Sequence, residues 1–406
     1  MSNTDIKWFS FDNTNAPQLT NTWGCMIDVL DACLVNGFGS QIVSSIVIEN
    51  GVGVATFGSA HNIKQFQVVE FSGASISLLN DEFKVLGLTT NTIEFLIDLP
   101  DQVVTGTISC ALASLGWRKA FSGENKAVYL AKDAVKNPYF LRVDDSLDPA
   151  YTTTFAKFAK VGILESCLDI DDISGIQAPF DPADPSKNWV ATGSGISVVN
   201  GWHKWYYALA SGVATSTTYN ERSPVQEGVR KWHLVGNEHS FYIFPQATVS
   251  GVSTHFYGFG VVSNINSENN LVFLSASNKK FGASNPVPMS SGLSNRTELV
   301  LMKNDENKYQ NQDFGSVLLA FGVAGYNADY FKRGNGYTSL MSPAYMIDNL
   351  NCFVGAFPLL LSSLYRHTEI ADATPLNENG RALMKLSFVQ SIGVTGSVFF
   401  DLGEYY

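Results

Sequence analysis

Charged residues are scarce in this sequence, and cationic residues are scarcer still. Only 16% of the 406 residues are charged, and 26 Lys and Arg stand against 37 Asp and Glu, for a net charge of −11. A protein that binds nucleic acid generally needs a basic face that displaces counterions from the phosphates. Because the basic pairs, such as Arg230-Lys231, are isolated, we expect no nucleic-acid partner.

Long apolar segments are also missing. A membrane-spanning helix needs about 18–20 consecutive apolar residues, and the longest apolar run, residues 353–361, is shorter and contains Gly355 and Pro358. Residues 1–5 are polar and acidic where a secretory signal needs a basic segment and then an apolar one. The sequence therefore predicts no membrane association and no secretion.

Cysteine is rare, and the motifs of common enzymes are absent. The five cysteines are widely spaced and form no C-x-x-C pair, which predicts buried, reduced thiols in a protein made in a cytoplasm. No nucleophile elbow, phosphate-binding loop or dinucleotide fingerprint occurs. We therefore predict a protein that is not an enzyme, with no catalytic residues, no cofactor and no metal.

Two polar patterns leave metal binding and acid–base catalysis as minor alternatives. His233 and His239 flank Glu238, but a helical zinc motif needs two histidines four residues apart, so structural histidines are the preferred interpretation. Asp144 and Asp145 are adjacent, and adjacent residues of a strand point to opposite faces. That pair is therefore interpreted as turn chemistry rather than as an acid–base pair.

What the sequence does contain is a 45% share of hydrophobic residues, arranged largely with the period of β-strands. Residues 41–112 hold six short apolar runs separated by Gly, Asn and Asp. Asn50-Gly51 lies between two of these runs and predicts a hairpin, because both residues tolerate positive φ angles. The predicted fold is mostly β, with several small β-sandwich or barrel domains and one N-terminal helix.

The helix is predicted just before these strands. Thr22 is its expected N-cap, and Asn36-Gly37 is its expected stop. Apolar residues recur between them at helical spacing and form one face: Trp23, Met26, Ile27, Leu30 and Leu34.

We predict four segments along the chain. Residues 1–21 form an extended arm that orders on docking against an adjacent subunit. Residues 22–112 contain the helix and a small barrel or sandwich, residues 113–270 form an aromatic-rich β domain, and residues 271–406 form a C-terminal β-rich domain. Whether 113–406 is one domain or two is left open.

An aromatic stretch is the best candidate for a partner-binding surface: Trp202, Trp205, Tyr206 and Tyr207. Strand alternation places Trp202 and Tyr206 on one face, and Trp205 and Tyr207 on the other. Both faces could belong to the core. Alternatively, one face could meet a protein partner or a host surface glycan.

Several segments together resemble a group of virion structural proteins of tailed phages and prophages. These segments are 21–38, 66–74, 82–85, 116–129, 141–145, 232–242 and 397–402. This sequence has Asn62 after His61, where such chains often have Gly, which is a departure from the pattern.

The resemblance implies a non-enzymatic structural protein of the virion, made in the host cytoplasm. Its partners would be other copies of itself and other phage structural proteins. A tail, baseplate or neck component is the leading expectation. A head-surface decoration protein and a receptor- or glycan-binding module are the alternatives. The shared segments are fold motifs, so no active site is implied.

Overall fold

The computed structural model describes residues 3–178, 180, 189–190, 193–194, 203–210, 224–250, 254–263, 271–278, 299–302, 309–310, 316–318, 341–347, 353–363, 370–378, 380–391 and 394–404. The fold is mostly β, with 52% strand and 5% helix, which confirms the predicted class. Within these residues, no helix is long and apolar enough to cross a membrane.

Helical structure is confined to short segments. They are α1 (Cys25–Leu30), a π-helical segment that continues it (Asp31–Asn36) and a 3₁₀ turn (Ser77–Leu79). The strands are β1 (Lys7–Ser10), β2 (Phe38–Glu49), β3 (Val52–Phe57), β4 (Val68–Ala74), β5 (Glu82–Lys84), β6 (Gly87–Leu88), β7 (Thr92–Leu96), β8 (Gln102–Val104), β9 (Gly106–Leu112), β10 (Arg118–Gly123), β11 (Lys126–Leu130), β12 (Phe140–Asp144), β13 (Lys157–Leu164), β14 (Gln177–Ala178), β15 (His203–Ala208), β16 (Trp232–Gly236), β17 (Ser240–Pro245), β18 (Tyr257–Val261), β19 (Val272–Ser275), β20 (Ser277–Asn278), β21 (Leu299–Met302), β22 (Tyr309–Gln310), β23 (Ser316–Leu318), β24 (Met341–Ile347), β25 (Phe353–Ser363), β26 (Pro375–Glu378), β27 (Arg381–Ser391) and β28 (Val394–Glu404).

The strands form antiparallel sheets. Sheet I has the order β1-β16-β17-β18-β19-β21-β22, and sheet II has the order β10-β11-β12-β13-β15-β20 with β14 on β13. Sheet III has the order β5-β4-β9-β2-β3-β7-β6 with β8 on β2, and sheet IV has the order β23-β24-β25-β28-β27-β26.

The six strands predicted within residues 41–112 are present, although the run at 82–88 is divided into β5 and β6, and β8 was not predicted. Asn50 and Gly51 have φ angles of 50° and 77°, and they close the predicted hairpin between β2 and β3. The apolar runs within residues 381–390 and 396–402 also predict a closing hairpin, which is present as β27 and β28. These elements form as predicted because alternation and turn chemistry are local properties of the sequence.

The helix begins later than the sequence predicted. Gly24 occupies the N-cap position with a φ of 94°, and the helix starts at Cys25 rather than just after Thr22. The predicted stop is present, because Gly37 ends the π-helical segment with a φ of 69°. The cap is supplied from a remote strand, as described below.

The predicted arm is extended, but it docks on its own chain. β1 pairs with β16 in sheet I, and a second contact joins Leu19 to Arg230. Trp8, Phe9 and Leu19 are buried. Within this chain the apolar side chains and the backbone donors of the arm are satisfied internally, and an arm that reaches an adjacent subunit stays a prediction.

The hydrophobic core crosses the predicted segment boundaries. One cluster joins side chains from the arm, from sheet III and from sheets I and II, including Phe9, Val69, Trp205 and Phe259. A second cluster joins sheet I to sheet IV and includes Tyr242. Sheet I itself runs past residue 270, so that boundary does not coincide with a break between sheets.

Candidate functional site

Two adjacent buried carboxyl groups, those of Asp144 and Asp145, lie at the end of β12. Asp144 is buried with Lys160, whose Nζ lies 3.1 Å from Asp144 Oδ2 and 3.6 Å from Asp148 Oδ2. Asp144 also accepts hydrogen bonds from the backbone N–H and the hydroxyl of Ser146. These bonds to Ser146 correspond to the turn chemistry predicted for this pair.

Arg142 also contacts Asp144, and the ion pairs of Asp144, Lys160 and Arg142 are called the charged side of β12 below. Its Nη1 lies 3.8 Å from Asp144 Oδ2, and its Nη2 lies 3.5 Å from Asp171 Oδ1. Its Nε donates to the carbonyl of Ile170, and its guanidinium lies 4.5 Å from the ring centroid of Trp189. The charged side therefore contains two cations, and their carboxylate partners are Asp144, Asp148 and Asp171. Buried charges are generally paired in this way.

Asp145 lies in a different environment. It is fully buried, and its Oδ2 accepts hydrogen bonds from the backbone N–H groups of Gly24 at 2.9 Å and Met26 at 3.0 Å. These are unpaired donors at the start of α1. Asp145 therefore caps the helix in place of Thr22, from a position about 120 residues further along the chain.

The hydrogens around Asp145 can be counted. The single hydroxyl hydrogen of Tyr207 faces two acceptors, because its Oη lies 2.7 Å from Asp145 Oδ1 and 3.0 Å from the Thr22 carbonyl oxygen. With Asp145 protonated, the carboxyl O–H donates to Tyr207 Oη, and Tyr207 donates to Thr22. Every short contact is then a hydrogen bond, which favours the neutral carboxyl.

The two carboxyls consequently have opposite pKa shifts. Burial raises the pKa of Asp145 to about 8, although its hydrogen-bond donors act in the other direction. Burial alone would also raise the pKa of Asp144, but Lys160, Ser146 and Arg142 outweigh it and lower that pKa. Separated pKa values are typical of acid–base pairs, yet these carboxyls contact separate sets of residues.

The aromatic stretch proposed as a partner surface lies mainly in the core. Trp205, Tyr206 and Tyr207 in β15 are buried, and Trp202 lies outside the described residues. Trp205 Nε1 donates to the Ser275 carbonyl at 2.9 Å. Burial on both faces of β15 corresponds to the core alternative, and a partner-binding role of these residues stays a prediction.

A different exposed surface was missed by sequence reasoning. The outer apolar face of sheet III consists of Val47, Val52, Val54, Leu96 and Val103. Cross-strand pairs join Val103 to Val47, Val47 to Val54, and Val52 to Leu96. Val103 is 66% exposed and the others are partly exposed. Glu94 pairs with Val54 and Glu49 pairs with Val52 on the same face, so these apolar side chains have charged neighbours. Exposed apolar groups rimmed by polar residues are typical of interaction surfaces.

The histidines are arranged differently from the sequence pattern. His203, His233 and His255 are buried, and burial lowers the pKa of each. Among the described residues, the candidate metal-ligating group is Asp133, Glu238 and His239, whose ligand atoms all lie within 4.8 Å of one another. No sequence signal links Asp133 to the other two.

Comparisons with known proteins give no assignment. No family model matches this chain, and no curated protein sequence matches it. One solved structure with detectable similarity is the Phage phi92 endosialidase, at 9% identity over 90% of this chain, with a TM-score of 0.17. This chain spans about half the length of that chain, since 52% of it is covered. A likeness at this TM-score identifies neither fold nor activity.

Proposed function

We propose that this protein is a non-enzymatic structural component of a tailed-phage virion, present in several copies in a tail, baseplate or neck. Surface complementarity between subunits is its mechanism. The observation that carries the proposal is the outer apolar face of sheet III, which exposes valine and leucine side chains beside Glu49 and Glu94.

The segments that resemble phage structural proteins also support the proposal. They include residues 21–38, 116–129 and 232–242, and they contribute α1, β10–β11 and β16–β17. They supply structural elements and carry no catalytic motif. Because the arm pairs with its own chain through β1 and Leu19, the outer apolar face is the surface that we assign to contacts between copies.

The location in a particle is tested on purified particles of the parent phage. We expect mass spectrometry to detect the protein, and cryo-EM to place it in a tail, baseplate or neck. Density on the head lattice would make it a decoration protein, which is the alternative. Its absence from the particles would contradict the proposal.

The role of the outer apolar face is tested by oligomeric state. Val103→Asp introduces a charge at its most exposed position, and burying that charge between copies would be unfavourable. We expect the purified chain to self-associate in analytical ultracentrifugation, and Val103→Asp to shift it toward monomer. Leu168→Asp is the matched control, because Leu168 is an exposed apolar residue elsewhere, 83% accessible. A monomeric wild-type chain, or equal effects of both variants, would contradict this role.

A further inference from the structure

Asp133, Glu238 and His239 come together from two distant segments. Asp133 lies in the loop between β11 and β12 of sheet II, and Glu238 and His239 lie in the turn between β16 and β17 of sheet I. All three are partly buried. The cluster thus lies where loops from two sheets meet.

One backbone and one side-chain hydrogen bond hold the two segments in register. The Asp133 N–H donates to the Glu238 carbonyl at 3.2 Å, and Asn137 Nδ2 donates to the His239 carbonyl at 3.1 Å. The turn is fixed in addition by Asn237, whose Oδ1 accepts from the N–H groups of His239 and Ser240. Rigid support of this kind is what a ligand site requires.

Two buried polar atoms in these segments lack a hydrogen-bond partner within the protein. They are Nδ1 of His239 and Oδ1 of Asn137. A buried polar group without a partner costs about 1–3 kcal/mol, and such groups in native proteins often mark an ordered water or an ion. Asn137 is not one of the three ligand residues, so its unpaired oxygen is an observation independent of their clustering.

The donor set distinguishes between classes of cation. One imidazole nitrogen and two carboxylate oxygens suit Zn²⁺ and related first-row transition ions, whereas Mg²⁺ prefers oxygen ligands and retains waters. The competing cation is Lys136, whose Nζ lies 3.2 Å from Asp133 Oδ2 with a side chain that is 56% exposed. An exposed ammonium is readily displaced, because its ion pair is weak.

We propose that Asp133, Glu238 and His239 bind a divalent transition-metal ion of the Zn²⁺ class. The bound ion joins the β16–β17 turn to the β11–β12 loop and so connects sheets I and II. It stabilises the folded chain by an amount that grows with the ratio of the free metal concentration to the Kd. The site is independent of the assembly role proposed above, since the outer apolar face lies on sheet III.

The test is calorimetric titration of the full chain, without a polyhistidine tag, with ZnCl₂. We expect binding of one ion and an increase in Tm on adding Zn²⁺. His239→Ala and Asp133→Asn should each weaken binding by about 10–100-fold, the range known for disturbing metal sites. Lys136→Gln should strengthen binding, because it removes the competing cation. Glu70→Gln, at an exposed carboxylate on β4, is the matched control and should bind as the wild type does.

A second measurement separates loss of the site from loss of the fold. The Tm of each variant without metal should equal the wild-type value to within a few degrees, since all three side chains are partly exposed. The absence of Zn²⁺ binding by the folded wild-type chain would overturn the proposal. So would undiminished binding by folded His239→Ala, or a preference for Mg²⁺ over Zn²⁺.

Discussion

The two adjacent aspartates at the end of β12 show how strongly the local environment controls the pKa of one residue type. Asp144 and Asp145 are adjacent and both are buried. Asp144 faces the cations Lys160 and Arg142, which hold its pKa down. Asp145 faces backbone N–H groups and Tyr207, and burial raises its pKa to about 8. Neutral donors alone do not compensate a charge as a neighbouring cation does.

Removing the anion on the charged side should have the largest effect. Asp144→Ala leaves Lys160 and Arg142 buried with only partial compensation, and breaking a buried ion pair costs about 3–5 kcal/mol. We expect the free energy of unfolding, measured by urea denaturation, to fall by that amount. Asp171→Ala is the control, because Asp171 is 66% exposed and its ion pairs should contribute less than about 1 kcal/mol. Equal losses of stability in Asp144→Ala and Asp171→Ala would show that burial does not make the ion pairs of Asp144 the stronger ones.

Removing the carboxyl of Asp145, which accepts hydrogen bonds from neutral backbone donors, should have a smaller effect on the free energy of unfolding. Asp145→Ala leaves the N–H groups of Gly24 and Met26 buried without an acceptor, and we expect a loss of about 2–3 kcal/mol. Asp145→Asn keeps one acceptor oxygen and should lose less. Amide exchange at the start of α1 should report the local loosening. An unchanged exchange rate at Met26 would contradict the capping role.

The pH dependence of stability should differ in sign between the two sides. The unfolded Asp145 ionises near pH 4, whereas burial raises its folded pKa to about 8. Between those values the folded Asp145 binds one more proton than the unfolded one, so its own contribution to the free energy of unfolding falls as pH rises, by about 1.4 kcal/mol per pH unit. The buried His203, His233 and His255 have lowered pKa values and contribute in the opposite direction below about pH 6.5. The titratable groups that face Asp145 are Asp144, Cys25, Lys157 and Tyr207. The histidine contributions cancel when the wild-type chain is compared with Asp145→Asn, so the difference in their free energies of unfolding should fall with pH between about pH 5 and 7.

Asp144 supplies the comparison for that profile. Its folded pKa is lowered, so its stabilisation is present above the unfolded pKa and is lost as pH falls through the folded pKa. Asp144→Asn should therefore reduce stability at neutral pH and leave acid stability nearly unchanged. If the difference in the free energy of unfolding between the wild-type chain and Asp145→Asn does not change between about pH 5 and 7, Asp145 is ionised when folded.

The smallest effect is expected from the ring beside Arg142. Trp189→Leu removes the cation–π contact and the hydrogen bond from Trp189 Nε1 to Gln177 Oε1, and should cost about 1 kcal/mol. Trp189→Phe, which keeps a ring, should cost less. In a double-mutant cycle with Asp144→Ala, the two losses should not add, because both residues contact Arg142. Additive losses would show that Trp189 and Asp144 do not interact energetically through Arg142.

Local elements could be predicted from the sequence, whereas the environments of polar groups could not. The strands of residues 41–112 and the Asn50-Gly51 hairpin follow from alternation and turn chemistry. The buried, free thiols were predicted as well, and the four described cysteines have that state. Thr22 was a reasonable N-cap by residue type, but the structure uses Asp145.

The sequence by itself determined the mostly β class, the hairpin positions and the general location of the helix, because these depend on residues a few positions apart. Only the tertiary structure decided that both faces of β15 are buried, that one face of sheet III is exposed, and that Asp133 meets His239. Burial, pKa and ligand geometry depend on groups that folding brings together from about 100 residues apart. Electrostatic interactions act over ångströms in space, and no local pattern in the chain records those distances.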